Sequence, residues 1–327
     1  MVKKRLVGVV LLAVLVAGAI CFERLPETWK DRIDGFFRPR HVPVVRTLTG
    51  PPAPRDADTV LIASFNIQVF GESKLEKTGV VAVLAEVIRQ FDVVAVQEVR
   101  AKNQDVVAEF VRIVNDQGAR YDYVLGPRLG RTESKEQYAF VFDTERIEVD
   151  PHSIYTVADP DDRLHRPPLV ASFRARAPPP REAFTFTLVN IHTDPDEVKR
   201  ELDALDDALL AVRHDGRGED DIILLGDLNV DDRHLGQLGQ LSGIAWAISG
   251  TPTNVRGTEL YDNIVFGQAE TVEFLRTAGV FDLKSAFGLS LENALKVSDH
   301  NPIWAQFSAY EGGARRQVAN GPVPAVR

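Results

Sequence analysis

Near the end of the chain, Ser298-Asp299-His300-Asn301-Pro302 sets an acid beside an imidazole at the entrance of the strand-like run 303–307. Such a pair can hold a metal-bound phosphate and move a proton, because imidazole titrates near neutrality. Four other apolar runs are interrupted by polar groups. Asn66 sits inside 61–68, and 92–100 ends in Glu98 and Arg100. The run 188–193 carries Asn190 and His192, and 222–229 ends in Gly226-Asp227-Leu228-Asn229. Each is short and rich in β-branched residues, which predicts a buried strand. Burying an amide, carboxylate or imidazole costs free energy unless it is paired or metal-bound. Five strands broken in the same way point to one shared site.

These residue types suit phosphodiester cleavage, which needs a nucleophilic water, stabilised charge at phosphorus and a leaving oxygen helped by a cation or acid. Glu98 is the leading metal-ligand candidate, since a hard carboxylate suits Mg2+ or Mn2+. Its competing reading is a salt bridge to Arg100. Side chains two apart in a strand share a face, so both can also line a cleft. His192 and His300 are the proton-transfer candidates. Asp227 and Asn229, two apart at one strand end, can orient water and donate to a phosphate oxygen; the alternative is a strand-to-turn cap.

On these motifs the chain resembles the endonuclease/exonuclease/phosphatase superfamily, and within it the deoxyribonuclease I group most closely. The resemblance also rests on 129–142, which reads LGRTESKEQYAFVF, and on 286–295, AFGLSLENAL, leading into Ser-Asp-His. It spans roughly residues 59–309 with the motifs in the family's order. It implies an α/β fold, a four-layer α/β/β/α sandwich of two mixed β-sheets. It also implies Asn66 beside Glu98, with Asp299 completing the metal shell. Glu136 then pairs with His192, and Asp262 with His300. Arg166 matches a phosphate-contacting arginine, Arg100 a groove-contacting one, and Thr253 a threonine near the scissile phosphate. Arg131, Lys135 and Lys102 add a local basic rim. Which histidine activates water stays open.

The departures bear on substrate. Ser134 stands where the group places a tyrosine that packs against DNA sugar. Pro167 replaces a glutamate that helps bind structural Ca2+, although Asp159, Asp161 and Asp162 lie nearby. Ala247, Ile248 and Ser249 stand where a calcium loop carries its acid, so weaker calcium dependence is expected. The group's usual disulfide near 251–262 is absent, because Cys21 is the one cysteine of the chain.

The elements that must position these residues follow from periodicity. Runs 80–90 and 105–115 have helical apolar spacing and flank the Glu98 strand. The segment 196–213 places Val198, Leu202, Leu205, Leu209 and Val212 on one helical stripe. With 327 residues, 44% of them hydrophobic, and strands alternating with helices throughout, one large α/β domain is expected at 59–309. Residues 23–58 read as a proline-containing spacer and 310–327 as a disordered tail. In 1–22, Lys3-Lys4-Arg5 precedes the apolar run 6–22, a cleaved signal peptide or an uncleaved membrane anchor. Either places the body outside the cytoplasm, periplasmic or extracellular.

Net charge −9 disfavours holding nucleic acid by bulk cationic attraction, but a nuclease needs only local positive charge and a cation. The expectation is an exported, divalent-metal-dependent endonuclease acting on DNA, with no protein partner implied. The alternative keeps the machinery and changes the substrate to a phospholipid headgroup or small phosphoester. An inactive anchored binding module would predict decay of at least one matched position, and all are present.

Overall fold

A computed structural model describes residues 47–131 and 135–313. Its organisation follows from β2 (Thr59–Phe70), which is buried on both faces. Val60 and Ile62 enter one apolar cluster, while Leu61, Ala63 and Phe65 enter another. Period-two alternation between two cores requires a layer on each side of the strand.

The first sheet has seven strands, in the order β1 (Leu48–Thr49), β12 (Phe274–Val280), β13 (Ile303–Ser308), β2, β3 (Val93–Val99), β5 (Gln137–Asp143) and β4 (Tyr121–Leu125). The second has six: β10 (Ile244–Trp246), β11 (Asp262–Gly267), β9 (Ile222–Asp227), β8 (Thr185–His192), β7 (Leu169–Ala175) and β6 (Ile147–Thr156). Their inner faces meet in a core where Phe173 stacks on Phe186, Phe186 on Phe184 and Phe184 on Phe307. Helices α2 (Thr78–Ile88) and α3 (Val106–Asn115) cover the outer face of the first sheet. Helix α4 (Val198–Arg213) covers that of the second. The result is the expected α/β/β/α sandwich of two mixed sheets. The expected helices are present with ends shifted by up to two residues. Leu202, Leu205, Leu209 and Val212 form the buried stripe of α4.

The topology explains why the polar interruptions converge. Each sheet contains a central parallel pair, β2–β3 and β8–β9. These four strands finish at one end of the sandwich, carrying Asn66, Glu98, His192 and Asp227. The antiparallel neighbours β5, β11 and β13 start at that end, which delivers Glu136, Asp262 and His300. Between the sheets, Gln97 Nε2 donates to Asn190 Oδ1 at 2.7 Å and to Ser64 Oγ at 3.0 Å, and all three residues are buried.

The expected spacer is folded in its last part. Leu48 and Thr49 pair with β12, and Trp304 Nε1 donates to Gly50 O at 3.2 Å. Arg55 bridges Asp92 at 3.0 Å and Asp143 at 2.8 Å. Buried carboxylates need a cation, and a charged side chain in a proline-rich stretch gives no hint of so distant a partner. At the other end, the expected tail begins folded: Tyr310 bridges Ala183, and Glu311 N donates to Glu182 O. Residues 1–22 lie outside the described region. Among described residues no helix is long and apolar enough to cross a membrane.

Candidate active site

Two histidine–carboxylate pairs face one aspartate. His192, the last residue of β8, donates from Nδ1 to Glu136 Oε2 at 2.9 Å, and its Nε2 stands 3.6 Å from Asp227 Oδ2. His300, just before β13, donates from Nδ1 to Asp262 Oδ2 at 2.8 Å, with Nε2 3.4 Å from the same Asp227 oxygen. Cross-strand register sets this geometry, because Asp227 lies opposite His192 on one side and Asp262 on the other. Thr253 Oγ1 donates to Asp262 Oδ2 at 2.6 Å. Asn66 Nδ2 joins the two sheets by donating to Asp227 Oδ2 at 3.0 Å and Glu98 Oε1 at 3.1 Å. Arg166 and Arg100 both meet Glu136 Oε1, at 3.2 and 2.7 Å, and Arg100 also meets Glu98 at 3.1 Å.

The backbone is bent to achieve this. Among described residues, four of the six non-glycine positions with positive φ are Gln68, Val69, Glu98 and Asn229. Strain concentrated in this way marks positions that the surroundings over-determine. Gly226 permits the close approach of β8 and β9: its φ is +153°, and a Cβ there would lie 1.8 Å from Ile191 O.

Electrostatics separate the acids from the imidazoles. Burial alone would raise Glu136, but its bond to His192 and the charges of His192, Arg166 and Arg100 hold it down to about 2. Burial would lower His300, yet Asp262 and Asp227 push it up to about 10. His192 is raised too, with Glu136 and Asp227 outweighing burial. Asp227 is raised by burial and by Asp262, against the pull of both histidines. Each Nδ1 is fixed by a carboxylate, leaving both Nε2 atoms directed at the space around Asp227.

The oxygens that fit a hard cation are those of Glu98, which the Asn66 amide meets, and of Asp299, whose Oδ1 lies 4.0 Å from His300 Nε2. Asp299 Oδ1 is buried with no hydrogen-bond partner, and both Asp299 and Glu98 act electrostatically on Lys74. This all-oxygen set suits Mg2+ or Mn2+. Asp227, Asp262 and His300 also lie close enough to share an ion. Their facing atoms are already engaged with one another, with Thr253 and with Asn66.

The structure brings Asn66, Glu98, Arg100, Glu136, Arg166, His192, Asp227, Thr253, Asp262, Asp299 and His300 to one end of the sandwich. Asn229 lies two residues past the end of β9. It leaves the strand at φ 52°, its N donates to Asp227 Oδ1 at 3.0 Å and its Nδ2 to Thr193 O at 2.9 Å. The turn-capping geometry of the alternative reading is therefore present, with the side chain held beside His192 through Thr193 O. Arg131, expected in a basic rim, is ion-paired with Asp162 and Glu197. Residues 132–134, with Ser134, lie outside the described region.

Three supporting residues were missed. Lys74, on the four-residue helix α1 (Glu72–Leu75), is buried and donates to Ile67 O, Gln68 O and Val297 O at 2.6, 2.5 and 2.8 Å. Burial pushes it down to about 8, against Asp299 and Glu98. It clamps the strained turn whose Gln68 N binds Asn66 Oδ1 and whose Val69 N binds Glu98 Oε2. Ser298 Oγ donates to Asn66 O at 2.7 Å, tying the Asp299–His300 loop to β2. Tyr138 OH accepts from His192 N at 2.9 Å. Tyr138 and Ser298 sit inside recognised motifs without a residue-level signal, and Lys74 had no apolar pattern to flag it.

A model of the Endonuclease/Exonuclease/phosphatase family matches residues 63–300. Deoxyribonuclease-1-like 1 of Sus scrofa is 33% identical over 264 residues, covering 77% of this chain and 82% of its own. Deoxyribonuclease gamma of Rattus norvegicus is 32% identical over 259 residues, covering 74% and 82%. Among solved structures, humanized D. rerio TDP2 superposes with TM-score 0.54 at 15% identity, covering 77% of this chain and 99% of that one, a likeness of fold.

Proposed function

The chain belongs to the endonuclease/exonuclease/phosphatase family, and from that premise we propose that it is a divalent-metal-dependent endonuclease that hydrolyses DNA phosphodiesters. The observation that carries the reading is the convergence of two carboxylate-anchored imidazoles on Asp227. The deoxyribonuclease-like relatives support DNA as the substrate class.

In this reading Asp227 orients a water between the two Nε2 atoms. One imidazole, in its neutral form, takes the proton as the water oxygen bonds to phosphorus. The other, as imidazolium, gives a proton to the leaving oxygen as the P–O bond breaks, so protons balance across the pair. Glu136 and Asp262 hold the rings by Nδ1 and stabilise the charged form. Arg166 and Arg100 face the phosphate region, while Thr253, fully buried with its hydroxyl on Asp262, acts through that carboxylate. Asn66, Glu98 and Asp299 would hold Mg2+ or Mn2+, which when bound would supply positive charge to the phosphate oxygens. The basic-then-apolar segment 1–22 supports export of the body, testable by cell fractionation.

The deciding experiment uses the full chain with Mg2+ or Mn2+. Supercoiled plasmid nicking is compared with headgroup or phosphate release from phospholipids, with EDTA and His192→Ala as controls. Nicking abolished by both controls is expected. Intact plasmid beside rapid, His192-dependent lipid hydrolysis would transfer the site to the alternative substrate class.

A further inference from the structure

At the opposite end of β9 from Asp227 lies a second group of acids. Asp221 immediately precedes β9, Glu273 immediately precedes β12, and Glu311 follows β13. A six-residue strand is about 20 Å long, so the group stands well apart from the candidate active site. Carboxylate oxygens of Asp221, Glu273 and Glu311 lie within 4.8 Å of one another, and Asp221 forms a like group with Glu219 and Asp220. Two oxygens that each bind one Ca2+ at about 2.4 Å can be separated by at most about 4.8 Å, so a single ion can span this group.

The burial makes the cluster more than a patch of surface acids. Asp221 and Glu273 are each 1% exposed. Asp221 Oδ1 and Glu273 Oε2 are buried without a hydrogen-bond partner. Thr271, beside Asp221 and 2% exposed, has an Oγ1 that likewise lacks a partner in hydrogen-bond geometry. The strongest charges on Asp221 are those of Glu273, Glu219 and Glu311, all negative. Like charges in a desolvated site are costly, the Thr271 hydroxyl offsets them only in part, and carboxylate oxygens gathered in this way are the arrangement a hard cation completes.

We propose that Asp221, Glu273 and Glu311, with the Thr271 hydroxyl, form a structural divalent-cation site of the calcium class. An ion there links the start of β9, the turn before β12 and the chain after β13, so it staples both sheets at the pole away from the chemistry. The competing occupant is a proton, since without an ion burial and Glu273 push Asp221 up to about 9.

The test is thermal unfolding and calcium titration calorimetry on the full chain. Glu98→Gln serves as the control that weakens binding at the candidate active site. Ca2+ is expected to raise Tm in the parent and in Glu98→Gln. The double variant Asp221→Asn, Glu273→Gln, built in the Glu98→Gln background, is expected to melt higher than Glu98→Gln without metal, because repulsion is gone, and to lose the calcium-dependent rise. A rise that survives in the double variant overturns the site, as does no rise in Glu98→Gln, which would leave the pair holding a proton. If the double variant does not fold, Glu311→Gln at the exposed rim must weaken calcium affinity at least ~10-fold, given how ligand charge sets such affinities. An unchanged affinity also overturns the site.

Discussion

Nε2 of His300 faces Oδ2 of Asp227 at 3.4 Å, and that same oxygen receives the Asn66 amide at 3.0 Å. Asp227 therefore couples the imidazoles to the carboxylate side of the site. Asp227→Asn should keep the fold and lower kcat by about 10²–10⁴-fold, the range of general acid–base contributions. Steady-state plasmid nicking checks this, and a variant within twofold of the parent would remove Asp227 from the chemistry.

Glu136 anchors His192 and collects both Arg100 and Arg166. Glu136→Gln leaves two guanidinium groups without their shared carboxylate and the imidazole without its anion. We expect kcat to fall by about 10–100-fold, the usual cost of losing an orienting partner. Glu136→Asp should restore part of the loss; equal defects in both variants would argue against an orienting role.

The pH dependence of stability has a definite sign. His300 is raised from 6.5 to about 10 in the folded protein. Its contribution is complete below pH 6.5 and is lost as pH rises through 10. In EDTA-treated protein, the stability gap between parent and His300→Gln in urea should narrow from pH 6 to pH 10. Glu136, lowered to about 2, works oppositely: its contribution is complete above 4.5 and fades as pH falls toward 2. A gap that does not change with pH would contradict the His300 ion pairs.

Lys74 holds three backbone carbonyls beneath the strained turn at Gln68–Val69. Lys74→Met should raise the Mg2+ concentration needed for half-maximal activity by about 10–100-fold, because it loosens the groups that orient Asn66 and Glu98. Calorimetric Mg2+ titration reads the same change without turnover. Unaltered metal affinity would confine Lys74 to general stability.

Gly226→Ala is expected to fail where most glycine substitutions are tolerated. Its Cβ would collide with Ile191 O on the neighbouring strand, and its φ of +153° is unfavourable for any other residue. Soluble yield and Tm should both drop, and a normally folded variant would show that β8 and β9 can part without cost.

The polar residues were legible because they broke strongly apolar runs, as at Asn66, His192 and Asp227. Strand existence and the helical stripe of α4 followed from local periodicity. What escaped depends on distant pairing. Arg55 looked like part of a spacer because Asp92 and Asp143, its partners, lie far along the chain. The turn at Asn229 escaped because strand alternation was carried past Asp227, where the backbone enters positive φ. Lys74 gave no pattern because its partners are carbonyls, which every residue has.

The hydrogen bond between Gln97 and Asn190 gives the core a mechanical duty. Gln97 immediately precedes Glu98, and Asn190 lies two residues before His192. Each sheet brings part of the reactive groups, so sliding one sheet over the other would misalign them even where the two sheets stay in contact. Greasy packing resists separation better than it resists shear, and Asn190, bonded to Gln97, Val96 O and Ala139 O of the other sheet, works as an alignment pin in mid-core.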